Sequence, residues 1–259
     1  MKGKIAIVTG AGSGIGRATA TVLAERGATV ILGDIDTERG EAAAQSIGSK
    51  AHFQRLDVGD EENWLKITNF AQDELGGLDI LINNAGIPSH TPIEEATSEE
   101  WLRVFRVNAL GPLLGCKHAI RVMKVRGGSI VNVSSNSTVI GMDATPIYTA
   151  SKGAVNALTL AVASYCRGRK FPIRCNTIIP GSTRTKMVRD TFLDILGVDI
   201  DKESAAARPL VADLADPTLV ANAIVFMASD EAGRVNGVEL IVDGMQSRAF
   251  VNPWSGSPE

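Results

Sequence analysis

No stretch of this chain approaches the ~20 uncharged apolar residues that a membrane span requires. The opening Met1-Lys2-Gly3-Lys4-Ile5 has no apolar core of a signal peptide, and Ile5–Thr9 reads as a strand instead. Cysteine is scarce. Cys116, Cys166 and Cys175 are odd in number, far apart in sequence and set among apolar residues, a pattern of buried structural thiols rather than of a redox or metal site. His52, His90 and His118 show no ligand spacing with each other or with the cysteines, so no metal is expected. An excess of basic charge is also missing. With a net charge of −3 the chain has no electrostatic footprint for nucleic acid. Arg121, Lys124 and Arg126 do cluster, at an expected helix end where cations suit the macrodipole. The expectation is a soluble, cytoplasmic protein with no nucleic-acid or membrane partner.

At 44% hydrophobic, the 259 residues can build a sizeable core. Short apolar runs alternate with longer helical patterns. Strands are predicted over Ile5–Thr9, 28–33, 52–56, 79–83, 129–134, 173–178 and 238–242; helices over 15–26, Thr37–Ile47 and 61–74. The strand runs are nearly continuous Val, Ile and Leu, as strands covered on both faces require. This alternation predicts an α/β fold with a parallel sheet and crossover helices, in one domain spanning 1–259. Residues 185–217 break the rhythm, mixing Phe192, Leu193, Ile195 and Leu196 with Asp, Gly and Pro. A loop-helix insertion of the lid type is expected there. The tail 249–259 is expected to be disordered over its last residues.

Thr9-Gly10-Ala11-Gly12-Ser13-Gly14-Ile15-Gly16 joins the first strand to the first helix. Ile15 rules out Gly-x-Gly-x-x-Gly, but Gly10, Gly14 and Gly16 fit Gly-x-x-x-Gly-x-Gly. Glycines permit a tight turn and close approach of a phosphate, and the helix N-terminus offers unpaired N–H groups. A merely flexible loop would not need glycine at every second position. Asp34, followed by Ile35, closes the second strand, where a carboxylate can accept hydrogen bonds from ribose hydroxyls and repel a 2′-phosphate. No Arg or Lys follows it directly; Arg39 is the next. NAD is therefore expected over NADP.

Tyr148 and Lys152 stand four residues apart, on one face of an expected helix. A free tyrosine has a pKa of ~10. Lowering it to about 7 takes about 4 kcal/mol, which one cation at ~4 Å in an effective dielectric of ~20 supplies. Ser135, at the end of the fifth strand, can steady a substrate oxygen as charge develops; Ser134 is the alternative by position. Asn108, polar inside an amphipathic helix, can hold a water beside the lysine. Taken alone, the Tyr/Lys pair describes a solvated surface. Downstream of a dinucleotide turn it describes a site that moves a proton while the cofactor moves a hydride.

Together these segments, with Asp57-Val58, Asn83-Asn84-Ala85-Gly86, Pro180-Gly181 and Val242-Asp243-Gly244, resemble the short-chain dehydrogenase/reductase family over nearly the whole chain. The resemblance implies a Rossmann-type doubly wound domain with a seven-stranded parallel sheet. It implies Tyr148 as general acid/base, Lys152 as the group that lowers its pKa and holds the nicotinamide ribose, Ser135 as substrate-orienting residue, and Asn108 as support for a relay water. Asp57 and Val58 would flank the adenine, Asn84, Ala85 and Gly86 would line the cofactor cleft, and Pro180, Gly181, Thr183 and Thr185 would cover the nicotinamide. It also implies a homo-oligomer, tetramer or dimer, packed through helices around 102–125 and 148–167, with Ala154, Leu158, Ala161 and Val162 as a suitable face. Met245 departs from the pattern, standing where a second glycine is usual after Val242-Asp243-Gly244, which questions the local turn.

Expected pocket residues are Ile87, Ser89, Ser137, Val139, Ile140, Met142, Met187, Phe192 and Leu196. They are largely apolar, with no convergent arginines, and suit a hydrophobic secondary alcohol or its ketone. The segments 164–167 and 173–176 are similar to bacterial hydroxysteroid and cyclic-alcohol dehydrogenases. Two alternatives carry different signatures. A 3-oxoacyl-[acyl-carrier-protein] reductase of the same fold should use NADPH and show a basic residue where Asp34 stands. A non-catalytic nucleotide-binding protein should have lost Tyr148, Lys152 or Ser135, and all three are present.

Overall fold

The computed structural model describes residues 1–248 apart from Glu203 and Ala205, so the expectation for the tail from 249 onward lies outside the described residues. Strands β1 (Ile5–Thr9), β2 (Thr29–Asp34), β3 (Ala51–Arg55), β4 (Ile80–Asn83), β5 (Gly128–Val133), β6 (Ile173–Pro180) and β7 (Glu239–Val242) form one sheet. Their order is β3-β2-β1-β4-β5-β6-β7, and every pairing is parallel. This is the doubly wound α/β fold that the strand-helix alternation predicted.

Side-chain alternation along each strand feeds two cores. Ala6, Val8, Val30, Leu32 and Ile82 face α1 (Gly14–Glu25), α2 (Thr37–Ile47) and α9 (Pro217–Ala228). Ile5, Ile7, Ile31, Leu81 and Ile130 face α3 (Glu61–Leu75), α5 (Gly111–Met123) and α7 (Pro146–Gly168), with Trp64 at their centre. Helix ends follow local chemistry. Asp36 accepts from the Arg39 N–H at 3.1 Å to start α2, and Asp60 accepts from the Glu62 N–H at 2.9 Å to start α3. Gly76, left-handed at φ 90°, stops α3, and Arg126 donates to its carbonyl.

The order reverses between β1 and β4, and this topological switch opens a crevice at their carboxyl ends. Thr9 closes its floor. Its Oγ1 accepts from the N–H groups of Asn84 and Ala85, both at 3.0 Å, while Asn84 Nδ2 donates to the Thr9 carbonyl at 2.9 Å.

Two features differ from expectation, the setting of Asn108 and the face of α7, while the cysteines are buried as expected. Asn108 lies not in a plain α-helix but in a π-helical stretch, Arg106–Leu110, between α4 (Ser98–Phe105) and α5. The wider turn directs its amide inward, where Ile87 and Ser151 hold it. The three cysteines, distant in sequence, are all buried in one core, and Asn132 lies between two of them, 3.6 Å from Cys175 Sγ and 4.0 Å from Cys116 Sγ. Burial raises the Cys166 pKa to about 11, so it stays an unreactive thiol. Val162 is buried inside the chain and Leu158 is half-buried against the same core, rather than both standing on an outward face of α7; Ala161 and Leu160 are exposed there. No helix among the described residues is long and apolar enough to cross a membrane.

Candidate active site

The glycine turn is set by steric need. Gly10 holds φ 63°, and a side chain there would press on the Ala85 backbone 2.9 Å away. A methyl group on Gly16 would collide with the Gly10 carbonyl oxygen, so this glycine lets α1 pack onto the turn rather than lining the crevice. Ser13, the first residue before α1, makes no side-chain cap bond, which leaves the helix N-terminus facing the cavity with its N–H groups available. Gly10, Ser13, Gly14 and Ile15 line that cavity.

Asp34 sits at one end of this cavity. Its Oδ2 accepts from the Gly12 N–H at 2.8 Å and its Oδ1 from the Asp36 N–H at 3.0 Å. The carboxylate is thus fixed by two backbone donors, with lone pairs left over for a ribose diol. Arg39 is nearer than its sequence position suggested. Its Cβ and the Asp34 carboxylate both lie within 3.1 Å of the point where a Gly12 side chain would begin, and its Nε pairs with Asp36 at 3.3 Å. The turn between β2 and α2 folds it back. Asp57 is pinned by Arg106 at 2.8 Å and by the Gly59 N–H at 2.9 Å. Burial raises its pKa, but these bonds outweigh it and the value ends below the usual carboxylate range.

At the other end Ser135, Tyr148 and Lys152 converge. Ser135 faces Tyr148 closely enough to favour its phenolate, and Ser135 Oγ accepts from the Ser137 N–H at 3.2 Å. Ser134 is turned away, donating to the Lys152 carbonyl at 3.2 Å, so the fold separates the two serines that position alone left open. Lys152 Nζ lies 5.8 Å from the Tyr148 ring centroid and donates to the Val133 carbonyl at 2.9 Å. Burial pulls the Lys152 pKa down to about 8. Burial pushes Tyr148 above its ordinary value, and Ser135 acts in the opposite sense. Asn108 lies behind them. Its Nδ2 donates to the Ile87 carbonyl and to Ser151 Oγ, both at 3.0 Å, and its Oδ1 accepts from the Ile87 N–H at 2.8 Å. One Oδ1 lone pair remains, on the same side as Lys152 Nζ: both atoms are 3.3 Å from where a Gly86 side chain would start.

A continuous cavity of about 440 Å³ runs between these two ends. It is lined by Asp34, Ile35, Asp57, Val58, Asn84, Ala85 and Gly86 on one side. Ser135, Tyr148, Lys152, Pro180, Gly181, Thr183 and Thr185 lie on the other. Gln246 fixes that cover, accepting from the Ser182 N–H at 2.8 Å. Of the expected substrate residues, Ile87, Ser89, Met142, Met187 and Phe192 line the cavity. Ser137, Val139, Ile140 and Leu196 do not. Ser137 is buried in the short α6 (Ser137–Ile140), whose Val139 and Ile140 turn to solvent, and Leu196 is exposed at the end of α8 (Lys186–Leu196). His90, Thr145, Ser182, Lys186 and Thr191 are wall residues that the sequence did not point to. Thr191 is one helical turn from Met187, a spacing that could have found it. After β7, Asp243 accepts from the Met245 and Ser247 N–H groups at 2.9 and 2.8 Å, which holds Met245 at φ 74°.

Residues 4–195 match the family described as short chain dehydrogenase. The cyclopentanol dehydrogenase of Comamonas sp. (strain NCIMB 9872) is 39% identical over 245 residues, covering 93% of this chain and 96% of that protein. The NADP-dependent (R)-specific alcohol dehydrogenase of Lentilactobacillus kefiri is 35% identical over 248 residues, 94% of this chain and 96% of that protein. The crystal structure of levodione reductase superimposes with a TM-score of 0.89 at 29% identity, over 96% of this chain and all of that one. Sequence motifs, sheet order and these relatives agree, and the chain is an oxidoreductase of the short-chain dehydrogenase family.

Proposed function

We propose that the protein is an NAD-dependent dehydrogenase that interconverts a hydrophobic secondary alcohol, a ring alcohol in preference, and its ketone. The observation that carries this reading is the convergence of Ser135, Tyr148 and Lys152 on one cavity that ends at Asp34. The cradle fits a dinucleotide: free helix N–H groups face the phosphate position, and a backbone-fixed carboxylate faces the ribose position. Bound NAD would supply the hydride acceptor. Thr183, Thr185, Pro180 and Gly181 would cover the nicotinamide, and Asp57 with Val58 would flank the adenine.

The protein's own work is proton transfer. Tyr148 Oη takes the hydroxyl proton of the alcohol as the carbon–hydrogen bond breaks, and returns it in ketone reduction. Ser135 Oγ donates to the substrate oxygen and holds it against the tyrosine. The Lys152 ammonium offsets the burial that otherwise keeps Tyr148 protonated, since a cation beside a phenolate lowers its pKa. Asn108 holds Ile87 and the lysine side of the site in place, and its spare Oδ1 lone pair can take a relay water.

The substrate end is mostly apolar, through Ile87, Met142, Met187 and Phe192. It suits a compact hydrocarbon ring, as the relatives named for cyclopentanol and levodione support. We further infer a homo-oligomer. Trp101, Leu102, Leu110 and Leu113 around α4 and α5, with Leu160 and Tyr165 on α7, are large apolar side chains left exposed, and packing against another subunit would take them from water. Light scattering would give the subunit number, and a monomer would remove this inference.

NADH formation, followed by absorbance with NAD or NADP against cyclopentanol, larger ring alcohols, sterols and a 3-hydroxyacyl thioester, tests the reading. Turnover with NAD on ring alcohols is expected. Activity confined to NADP and the thioester would identify an acyl-thioester reductase instead, with Arg39 as the nearest candidate partner for a 2′-phosphate.

A further inference from the structure

Across the cavity mouth one side chain joins two walls that are far apart in sequence. His90 follows β4, and its Nε2 lies 2.9 Å from Thr191 Oγ1 on α8. Thr191 already gives its own hydrogen to the Met187 carbonyl at 2.8 Å, so its oxygen acts as acceptor and the imidazole donates from Nε2. The ring's other nitrogen faces the exposed Asp194 at 3.7 Å.

The loop around His90 is itself held. Glu100 accepts from Ser89 Oγ at 2.9 Å through Oε1 and from Thr91 Oγ1 at 2.6 Å through Oε2. The two residues flanking His90 are therefore clamped to one carboxylate, and the imidazole between them is aimed at α8. That helix contributes Met187, Val188, Thr191 and Phe192 to the cavity wall. None of its residues is fully buried, so little packing holds it in place.

We propose that His90 is a positioning residue for substrate: clamped through Ser89 and Thr91 by Glu100, it fastens α8 to the β4–α4 loop and so fixes Met187 and Phe192 as the wall that receives the ring of the alcohol. The substrate half of this proposal rests on the ring-alcohol reading; the fastening of α8 does not. Its role is separate from proton transfer. Loss of the bond loosens the wall and weakens substrate binding, while Ser135, Tyr148 and Lys152 keep their geometry.

The test uses His90→Ala, Thr191→Val, their double variant and His90→Gln, whose side-chain amide can still donate to Thr191. Hydrogen exchange of the α8 amides, measured on the protein alone, reads the fastening without any turnover. Faster exchange in both single variants, no further gain in the double, and near-normal exchange in His90→Gln are expected. With cyclopentanol, KM should rise about tenfold, the worth of one hydrogen bond, with kcat and the KM for NAD little changed. Unchanged α8 exchange, additive effects of the two single variants, or a fall in kcat with KM constant would overturn the proposal. If the native enzyme oxidises no ring alcohol, the functional reading fails, and the exchange data still decide whether His90 holds α8.

Discussion

Replacing Lys152 with methionine sets the electrostatics of the site against the stability of the fold. Lys152 is 4% exposed, and its ammonium group meets a backbone carbonyl at 2.9 Å. Burial is the sole cause that moves its pKa, from the ordinary 10.5 to about 8. That gap corresponds to roughly 3 kcal/mol of destabilisation of the charged form. The folded value is the depressed one. The penalty is therefore complete below about pH 8, fades as the folded lysine loses its proton first, and is gone above the unfolded value of 10.5. Methionine fills similar space without charge but leaves the Val133 carbonyl without this donor, at about 1–2 kcal/mol. Lys152→Met should thus be more stable than the native protein by about 1–2 kcal/mol near pH 7, and the advantage should shrink through about pH 9.5. Urea unfolding at equal protein concentration, without added cofactor, measures the gap at both pH values. A variant less stable near neutrality, or a gap independent of pH, refutes the reasoning. Turnover should be lost in the same variant, because a buried charge that weakens the fold is retained for its chemistry.

Tyr148→Phe should abolish turnover and leave NADH binding by fluorescence within about twofold, since only the proton-carrying oxygen is removed; retained activity would take Tyr148 out of the mechanism. Asp34→Ala should raise NADP use relative to NAD by about tenfold or more, the worth of a ribose hydrogen bond plus lost repulsion. Adding Arg39→Ala should undo part of that gain, and an unchanged cofactor ratio would show the ribose contact to be misplaced. Gly16→Ala should sharply weaken NADH binding or stability, by about 2 kcal/mol or more, because its methyl group meets the Gly10 carbonyl. Met245→Gly should stabilise the fold by about 1 kcal/mol by relieving a left-handed residue whose side chain is largely exposed; a lower melting temperature would show that the methionine packs.

The centre of the sheet was legible because its inner strands are buried on both faces, unlike the edge strands β3 and β7. Continuous runs such as Ile5–Thr9 and 79–83 read as strands without any alternation to interpret. The glycine turn and the Tyr148/Lys152 spacing were legible because both are local: a turn conformation and one helical step. What was missed depends on distance in three dimensions. Position alone left Ser134 open beside Ser135, which only the family resemblance favoured, because the choice rests on the direction in which β5 ends. The nearness of Arg39 to Asp34 needed the fold of the β2–α2 turn, and the meeting of Cys116 and Cys175 at Asn132 needed β5, β6 and α5 side by side. His90 and Thr191 are 101 positions apart and carry no shared pattern. Asn108 was found as a polar residue in an amphipathic helix, but the π-helical turn that aims it inward has no period that a helical reading detects.

The central claim is hydride transfer from a ring carbinol to NAD at this site. Cyclopentanol bearing deuterium on the carbinol carbon, incubated with NAD and the native enzyme, tests it directly. Deuterium should appear in the reduced nicotinamide by mass spectrometry, and the Tyr148→Phe variant should transfer none. Reduced cofactor without label, or label transfer only with NADP, would contradict the account.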